Sequence, residues 1–270
     1  MPSDILQTSF LAIVQGITEY LPISSSGHLI LPRVLFGWED PGLIFDVAVH
    51  VGSLLAVVFY FWRQIVVLAF AWFRSVGTRQ QNEDSRLAWL IILATLPAGV
   101  TGFLFDDAVE QYGRSVLLIA ITSVIFGALL WLADRPDKSR SGIATLTWKT
   151  ALVIGVAQVF ALIPGTSRSG VTMTAGLFIG LSRRAASQFS FLLAIPIIAA
   201  SGLLKGVEFY QAGGTPSEWI VLLYAGLLAA VVSWLCIHYF LQLIERIGFL
   251  PFVIYRILLG GVLLTIYLVR

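Results

Sequence analysis

The sequence predicts an all-α integral membrane protein with an inverted-topology repeat: six spanning helices plus two re-entrant helical hairpins. Three observations carry this. Hydrophobic residues make up 58% of the 270-residue chain and charged residues only 12%, against about 25% charged in soluble domains, and the mean hydropathy is +0.89. Six apolar runs are long enough to cross a bilayer core as helices, which takes about 17–25 residues. Two polar knots, Gln15–His28 and Pro164–Gly170, interrupt apolar sequence in the two halves. No run shows the strict apolar–polar alternation of a closed barrel.

The net charge of +2 gives no reason to invoke nucleic acid as a partner. The single cysteine, Cys236, rules out an intrachain disulfide. Residues 1–14 lack a basic n-region, so no cleavable signal peptide is expected.

In chain order, the spans are expected near 43–61, 87–104, 115–133, 185–204, 218–242 and 250–269. Two shorter runs, 5–21 and 148–163, each end in a Pro/Gly/Ser cluster, followed by the moderately apolar segments 29–37 and 171–181. Proline lacks the amide donor and glycine loosens a helix, so both runs should stop at those clusters. A short helix, a break and a second short helix make a re-entrant hairpin; the alternative is a kinked spanning helix in each place. Irregular backbone at membrane depth survives only where protein buries it or water reaches it.

Charge sets the orientation. The stretch 62–87, read as a loop, carries Arg63, Arg74, Arg79 and Arg86 against Glu83 and Asp84. The loop 134–149 carries Arg135, Lys138, Arg140 and Lys149 against Asp134 and Asp137. Two spans separate these basic stretches, so both lie on one side, which is cytoplasmic by the positive-inside rule. Asp106, Asp107 and Glu110, with Glu39 and Asp40, then face outward. The first hairpin enters from outside, the second from inside near Arg183 and Arg184, and both termini are external. The chain reads as one membrane domain, 1–270, with pseudo-repeats of about 1–140 and 141–270. A constant offset aligns Ser24-Ser25-Ser26-Gly27 with Ser167-Arg168-Ser169-Gly170, and Gly37 with Gly180. Inverted repeats with interrupted helices place binding sites near the midplane, where the repeats meet.

The knots carry the chemistry, because ionisable groups at membrane depth are costly and read as functional by default. Gln15 and Glu19 share a helix face. They offer oxygen ligands to a divalent cation, Mg²⁺ or Ca²⁺, or a general acid/base at Glu19; the other reading pairs Glu19 with Arg168 or makes it a cap. Ser24, Ser25, Ser26 and Gly27 form a hydroxyl-rich turn at the start of the next helix, either as caps or as phosphate ligands. One of these hydroxyls could be a nucleophile with His28 as the adjacent base. Arg168, flanked by Thr166, Ser167, Ser169 and Gly170, presents a planar fork suited to a phosphate. His50 and Asp46 share a face at the start of the first span and are expected to line the mouth of the site. His238 is expected to be structural, and Arg256, within the last span, to snorkel toward the cytoplasmic interface. Metal-binding His/Cys clusters, a Walker loop and a dinucleotide fingerprint are absent from the sequence.

At these residues the chain resembles the bacterial undecaprenyl-diphosphate phosphatase family of the bacitracin-resistance type. The resemblance rests on Gln15-x-x-x-Glu19 with Pro22-x-Ser24-Ser25-Ser26-Gly27-His28, on Pro164-Gly165-x-Ser167-Arg168-Ser169-Gly170, and on Ser187-Gln188-Phe189-Ser190-Phe191-Leu192-Leu193-Ala194-x-Pro196. It implies hydrolysis of a C55 polyprenyl diphosphate to the monophosphate and phosphate, which recycles the lipid carrier of cell-wall synthesis. It also implies a divalent cation and a multi-pass protein of the bacterial inner membrane with its site open to the outer face. Carried over residue by residue, Glu19 is the essential acid, Ser25 the nucleophile or phosphate ligand, His28 the acid/base and Arg168 the diphosphate clamp. Gln15 stands where many members have glutamate, and Ser26 where threonine is frequent. In one scheme Ser25, activated by His28, attacks phosphorus; in the other His28 or Glu19 activates water. Inverted repeats with broken helices also suit a transporter, so a polyprenyl-phosphate flippase is the alternative function. A homodimer is compatible with the sequence.

Overall fold

A computed structural model describes residues 5–106, 114–134 and 141–269. Asp107, Glu110, Arg135, Asp137, Lys138 and Arg140, which the charge argument used, lie outside the described residues. In chain order the helices are α1 Ile5–Thr18, α2 Ser25–Leu29, α3 Leu31–Phe36, α4 Leu43–Tyr60, α5 Trp62–Thr78, α6 Glu83–Leu104, α7 Val116–Ala133, α8 Trp148–Val159, α9 Arg168–Phe178, α10 Arg183–Gln211, α11 Pro216–Ile247 and α12 Leu250–Val269. Short 3₁₀ turns cover Ile143–Thr145 and Phe160–Leu162.

Six of these helices, α4, α6, α7, α10, α11 and α12, are long and apolar enough to cross a membrane, and the chain is a multi-pass membrane protein. Their boundaries follow local chemistry. At the start of α6 the Asn82 side chain accepts from Ser85 N at 2.8 Å, and Ser85 Oγ accepts from Asn82 N at 2.9 Å. Reciprocal bonds of this kind satisfy amides that a helix end leaves unpaired. Thr147 with Thr150 caps α8, and Thr215 with Glu218 caps α11, in the same way.

The stretch read as a loop is in fact a helix. α5 buries Leu68 and Ser75 while Val66, Val67, Phe70, Phe73 and Val76 stay exposed. Arg63 and Gln64 on one side and Arg74 on the other confine its unbroken apolar run to Ile65–Phe73, too short to read as a span. α5 folds back on α6, where Trp89 Nε1 donates to Ser75 Oγ at 3.1 Å and the Trp72 and Trp89 rings lie 5.6 Å apart.

The two halves pack by exchange. α1 lies on α11 and α8 lies on α6, while α7 packs on α12 and α4 on both α10 and α11. The α4–α11 crossing is close because Gly52 meets Gly226, where a Cβ would run into backbone. At the end where α7 stops and α10 and α12 begin, Asp134 accepts from Arg183 Nε and from Phe249 N, both at 2.7 Å. α1 and α8 are shorter apolar helices than the six, and the turns that follow them come into contact.

Candidate active site where the two knots meet

The two knots have the same local shape. Ser24 has φ 71° and ψ 101°, and Ser167 has φ 69° and ψ 110°. Positive φ is costly for a residue with a Cβ, about 1–3 kcal/mol, and such strain concentrates at functional sites. Each serine caps the helix that follows: Ser24 Oγ accepts from Gly27 N at 3.4 Å, and Ser167 Oγ from Gly170 N at 3.1 Å. Each also bonds the serine two residues on, Ser26 at 3.0 Å and Ser169 at 3.2 Å.

The knots then bind each other. Arg168 Nη2 donates to Glu19 Oε1 at 2.9 Å. Ser169 Oγ donates to Leu21 O at 2.9 Å and to Glu19 O at 3.2 Å, and Gly165 N donates to Ser26 Oγ at 3.3 Å. The second oxygen of Glu19 takes three donors: Gln15 Nε2 at 3.0 Å, Ser25 Oγ at 3.0 Å and His50 Nε2 at 3.2 Å. His50 is oriented by its own backbone, with Nδ1 2.6 Å from Asp46 O. Arg168 is also held by Ser190 O at 2.9 Å and lies over the Tyr20 ring, 5.7 Å from its centroid. Two of its five N–H donors are spent on protein, and the rest remain for a ligand oxygen. Ser190 belongs to the third motif, and its hydroxyl meets Thr172 Oγ1 at 2.7 Å, which fixes the strand of backbone that aims the arginine.

A cavity of about 660 Å³ opens over this cluster and is lined by Glu19, Ser25, His50 and Arg168 at its base. Asp46, Asp106, Arg114 and Lys205 line its other end. Arg114 pairs with Asp40 and, at 2.7 Å, with Asp46; Lys205 pairs with Asp106 at 2.7 Å. The mouth is thus built of paired charges, and the base presents a hydroxyl, a carboxylate and a guanidinium to one space.

The sequence-predicted residues divide accordingly. Glu19, Ser24, Ser25, Ser26, Ser167 and Arg168 line the cavity, while Gly27, His28, Thr166, Ser169 and Gly170 do not. The amides of Gly27 and Gly170 are used by the capping serines, and Ser169 ties the knots together. His28 is not brought to Ser25: its Nδ1 lies 2.7 Å from Ser24 O and its Nε2 2.6 Å from Tyr255 OH, with the two rings stacked 5.4 Å apart. With both ring nitrogens engaged away from Ser25, His28 leaves the place beside Glu19 to His50 from α4. Spacing had put His50 and Asp46 on one face; only the α4 packing shows that this face meets the first knot. Gln158, which the sequence reading passed over, stands at the same constant offset from Gln15. Both are buried and both leave Oε1 without a partner.

Arg256 does not snorkel. It is fully buried, and all its hydrogen bonds run to backbone carbonyls inside the bundle. His238 stacks on Trp234 at 5.8 Å and meets Gln242 Nε2 at 2.8 Å, outside the cavity lining.

The pair Glu19 and Gln15, as arranged here, does not fit a resident Mg²⁺ or Ca²⁺. A cation held by one or two carboxylates, with waters and phosphates completing its shell, needs free carboxylate oxygens, whereas Glu19 is ringed by four donors and Gln15 turns its amide nitrogen to the carboxylate. The orphaned Gln15 Oε1 is a single oxygen, and among the described residues no group of three or more His, Cys, Asp or Glu could hold a metal.

The model of a family described as "Bacitracin resistance protein BacA" matches residues 8–262. "Undecaprenyl-diphosphatase 1" of Pseudoalteromonas translucida (strain TAC 125) is 54% identical over 95% of this chain and 96% of its own length. "Undecaprenyl-diphosphatase" of Hahella chejuensis (strain KCTC 2396) is 53% identical over 97% and 98%, and that of Saccharophagus degradans (strain 2-40 / ATCC 43961 / DSM 17024) 54% over 96% of both. With a family match across nearly its whole length and relatives above half identical end to end, the chain belongs to the bacitracin resistance protein BacA family.

Proposed function

We propose that this chain hydrolyses undecaprenyl diphosphate, the substrate in its relatives' names, to the monophosphate and phosphate at the cavity between the knots. The product serves as the lipid carrier for peptidoglycan and other cell-wall polymers, and its regeneration underlies bacitracin resistance. The observation that carries the reading is the Ser25–Glu19–Arg168 set: Ser25 Oγ donates to Glu19 Oε2 at 3.0 Å while Arg168 holds Glu19 Oε1 at 2.9 Å.

The chain's own residues divide the work. Arg168 holds the diphosphate with its free N–H groups, where a positioned cation favours charge that develops in transfer. Glu19 takes the Ser25 proton as Oγ attacks the terminal phosphorus, the bond from that phosphorus to the bridging oxygen breaks, and polyprenyl monophosphate leaves with that proton, handed from Glu19 to the oxygen it carries away, so Glu19 is again ionised. Water then attacks the phosphoserine, gives a proton to Glu19, and phosphate departs as Ser25 regains its hydrogen. His50 and Gln15 keep the carboxylate aimed at Ser25. The prenyl tail lies between helices or in lipid, so the cavity need hold only the head group.

Two supports bear on orientation and repeat. The mouth residues Asp46, Asp106, Arg114 and Lys205 lie at the ends of spans that the charge pattern turns outward, which favours a site open to the periplasmic face of the inner membrane. Matched serine geometry and the exchange of α1 and α8 between halves favour the inverted repeat with two re-entrant hairpins. All the reacting groups come from one chain, so the reading requires no dimer.

Acid quenching of turnover on substrate labelled in the terminal phosphate tests the nucleophile. Label on Ser25 is expected, with turnover lost in Ser25→Ala. A Ser25→Ala enzyme of near-normal rate would sink the serine route and leave water, activated by Glu19, as the attacking group.

A further inference from the structure

Arg256 sits behind the site rather than in it. It is fully buried in α12. Its Nη2 donates to Thr166 O at 2.9 Å and to Gly165 O at 3.0 Å, both in the second knot, and its Nη1 donates to Pro22 O of the first knot at 3.3 Å. Nε reaches Ser123 O of α7 at 3.2 Å. No carboxylate is among its partners in the described residues. Gly170 leaves it room: a Cβ there would fall 2.7 Å from Arg256 Nη1. A buried ion is expensive unless its environment compensates it. Here the compensation is a cage of carbonyls, most of them from the two turns that carry Ser25 and Arg168.

We propose that Arg256 is the positioning residue of this centre: one guanidinium fork that sets the register between the two knots and, lacking a carboxylate of its own, lends its positive charge to a diphosphate bound in front of them. The inference rests on the hydrolytic reading for its kinetic test but not for its binding test. The fork matters because five donors in a plane can reach carbonyls on both turns at once, whereas an ammonium is a point charge. Loss of register moves Ser25 relative to Arg168, and a misplacement of about 1 Å costs on the order of 100-fold in rate.

The test compares Arg256→Lys, which keeps the charge and loses the fork, with Arg256→Gln, which loses the charge. Each is purified in detergent, and kcat, KM and protection against heat by inorganic pyrophosphate are measured on the monodisperse fraction. The expected result is a kcat lower by about 100-fold in Arg256→Lys with pyrophosphate protection kept, and loss of both in Arg256→Gln. A merely structural role predicts wild-type kcat and KM in whatever fraction stays folded, and that result overturns the proposal, as does undiminished protection in Arg256→Gln. If Arg256→Lys fails to fold, Gly170→Ala carries the test by pressing on Nη1; a wild-type kcat there overturns it too. Wild type that releases no phosphate but is protected by pyrophosphate defeats the hydrolytic reading alone, and the protection data then decide Arg256. Wild type with neither property overturns both.

Discussion

Replacing Glu19 by glutamine probes the one carboxylate on which the cluster converges. Its oxygens accept from Arg168, Gln15, Ser25 and His50 at 2.9–3.2 Å. Glutamine turns one of these acceptors into a donor. In either orientation the half-buried Arg168 guanidinium loses its counter-charge; if the amide nitrogen faces Arg168 a donor meets a donor, and if it faces the other side it meets three donors. Breaking a buried pair costs about 3–5 kcal/mol, and the retained amide oxygen puts this change near the lower end, about 3 kcal/mol. The chemical loss is separate. An amide cannot take the Ser25 proton, and removal of a general base costs on the order of 10²–10⁴ in rate, about 3–5 kcal/mol of activation free energy. The assay is phosphate release from C55 diphosphate by monodisperse protein, with the melting temperature read on the same sample. Glu19→Gln should melt lower and hydrolyse at least about 100-fold more slowly. A folded Glu19→Gln enzyme within tenfold of wild type would refute the role given to this carboxylate.

Other expectations follow from the same geometry. His28→Gln should stay within about tenfold of wild-type turnover, because His28 does not reach Ser25; a loss as deep as that of Ser25→Ala would contradict this placement. His50→Gln, whose amide can still donate to Glu19, should keep more activity than His50→Leu, and equal rates in the two would remove His50 from the cluster. Ser169→Ala loses the ties to Leu21 O and Glu19 O, so its melting temperature should fall by a shift worth about 1–3 kcal/mol. An unchanged melt would show that the knots are held together without it.

Much of this arrangement is legible in the sequence because membrane burial makes polarity conspicuous. The six spans announce themselves as apolar runs, and Glu19, Ser25 and Arg168 stand out as groups that lipid does not tolerate without purpose. The serine turns share a constant offset in the sequence and closely similar backbone angles in the structure. What sequence hid was direction and depth. α5 is apolar over Ile65–Phe73 but is bounded by the arginines on which the charge pattern made the stretch a loop. His28 lies three residues past Ser25, yet both its ring nitrogens are engaged elsewhere, with Ser24 O and Tyr255 OH, whereas His50 arrives from another helix. Arg256, within the last span, is long enough to read as a snorkelling residue; the carbonyls of the two polar knots, which no local pattern reveals, keep it inside.

The most direct measurement of the central claim is release of the terminal phosphate from labelled C55 diphosphate by purified wild type and by Arg168→Ala prepared alongside it. Wild type should release phosphate catalytically, and Arg168→Ala at least about 100-fold more slowly while remaining monodisperse. Wild type without release, or Arg168→Ala as fast as wild type, would contradict the assignment of polyprenyl diphosphate hydrolysis to the cavity where the two knots meet.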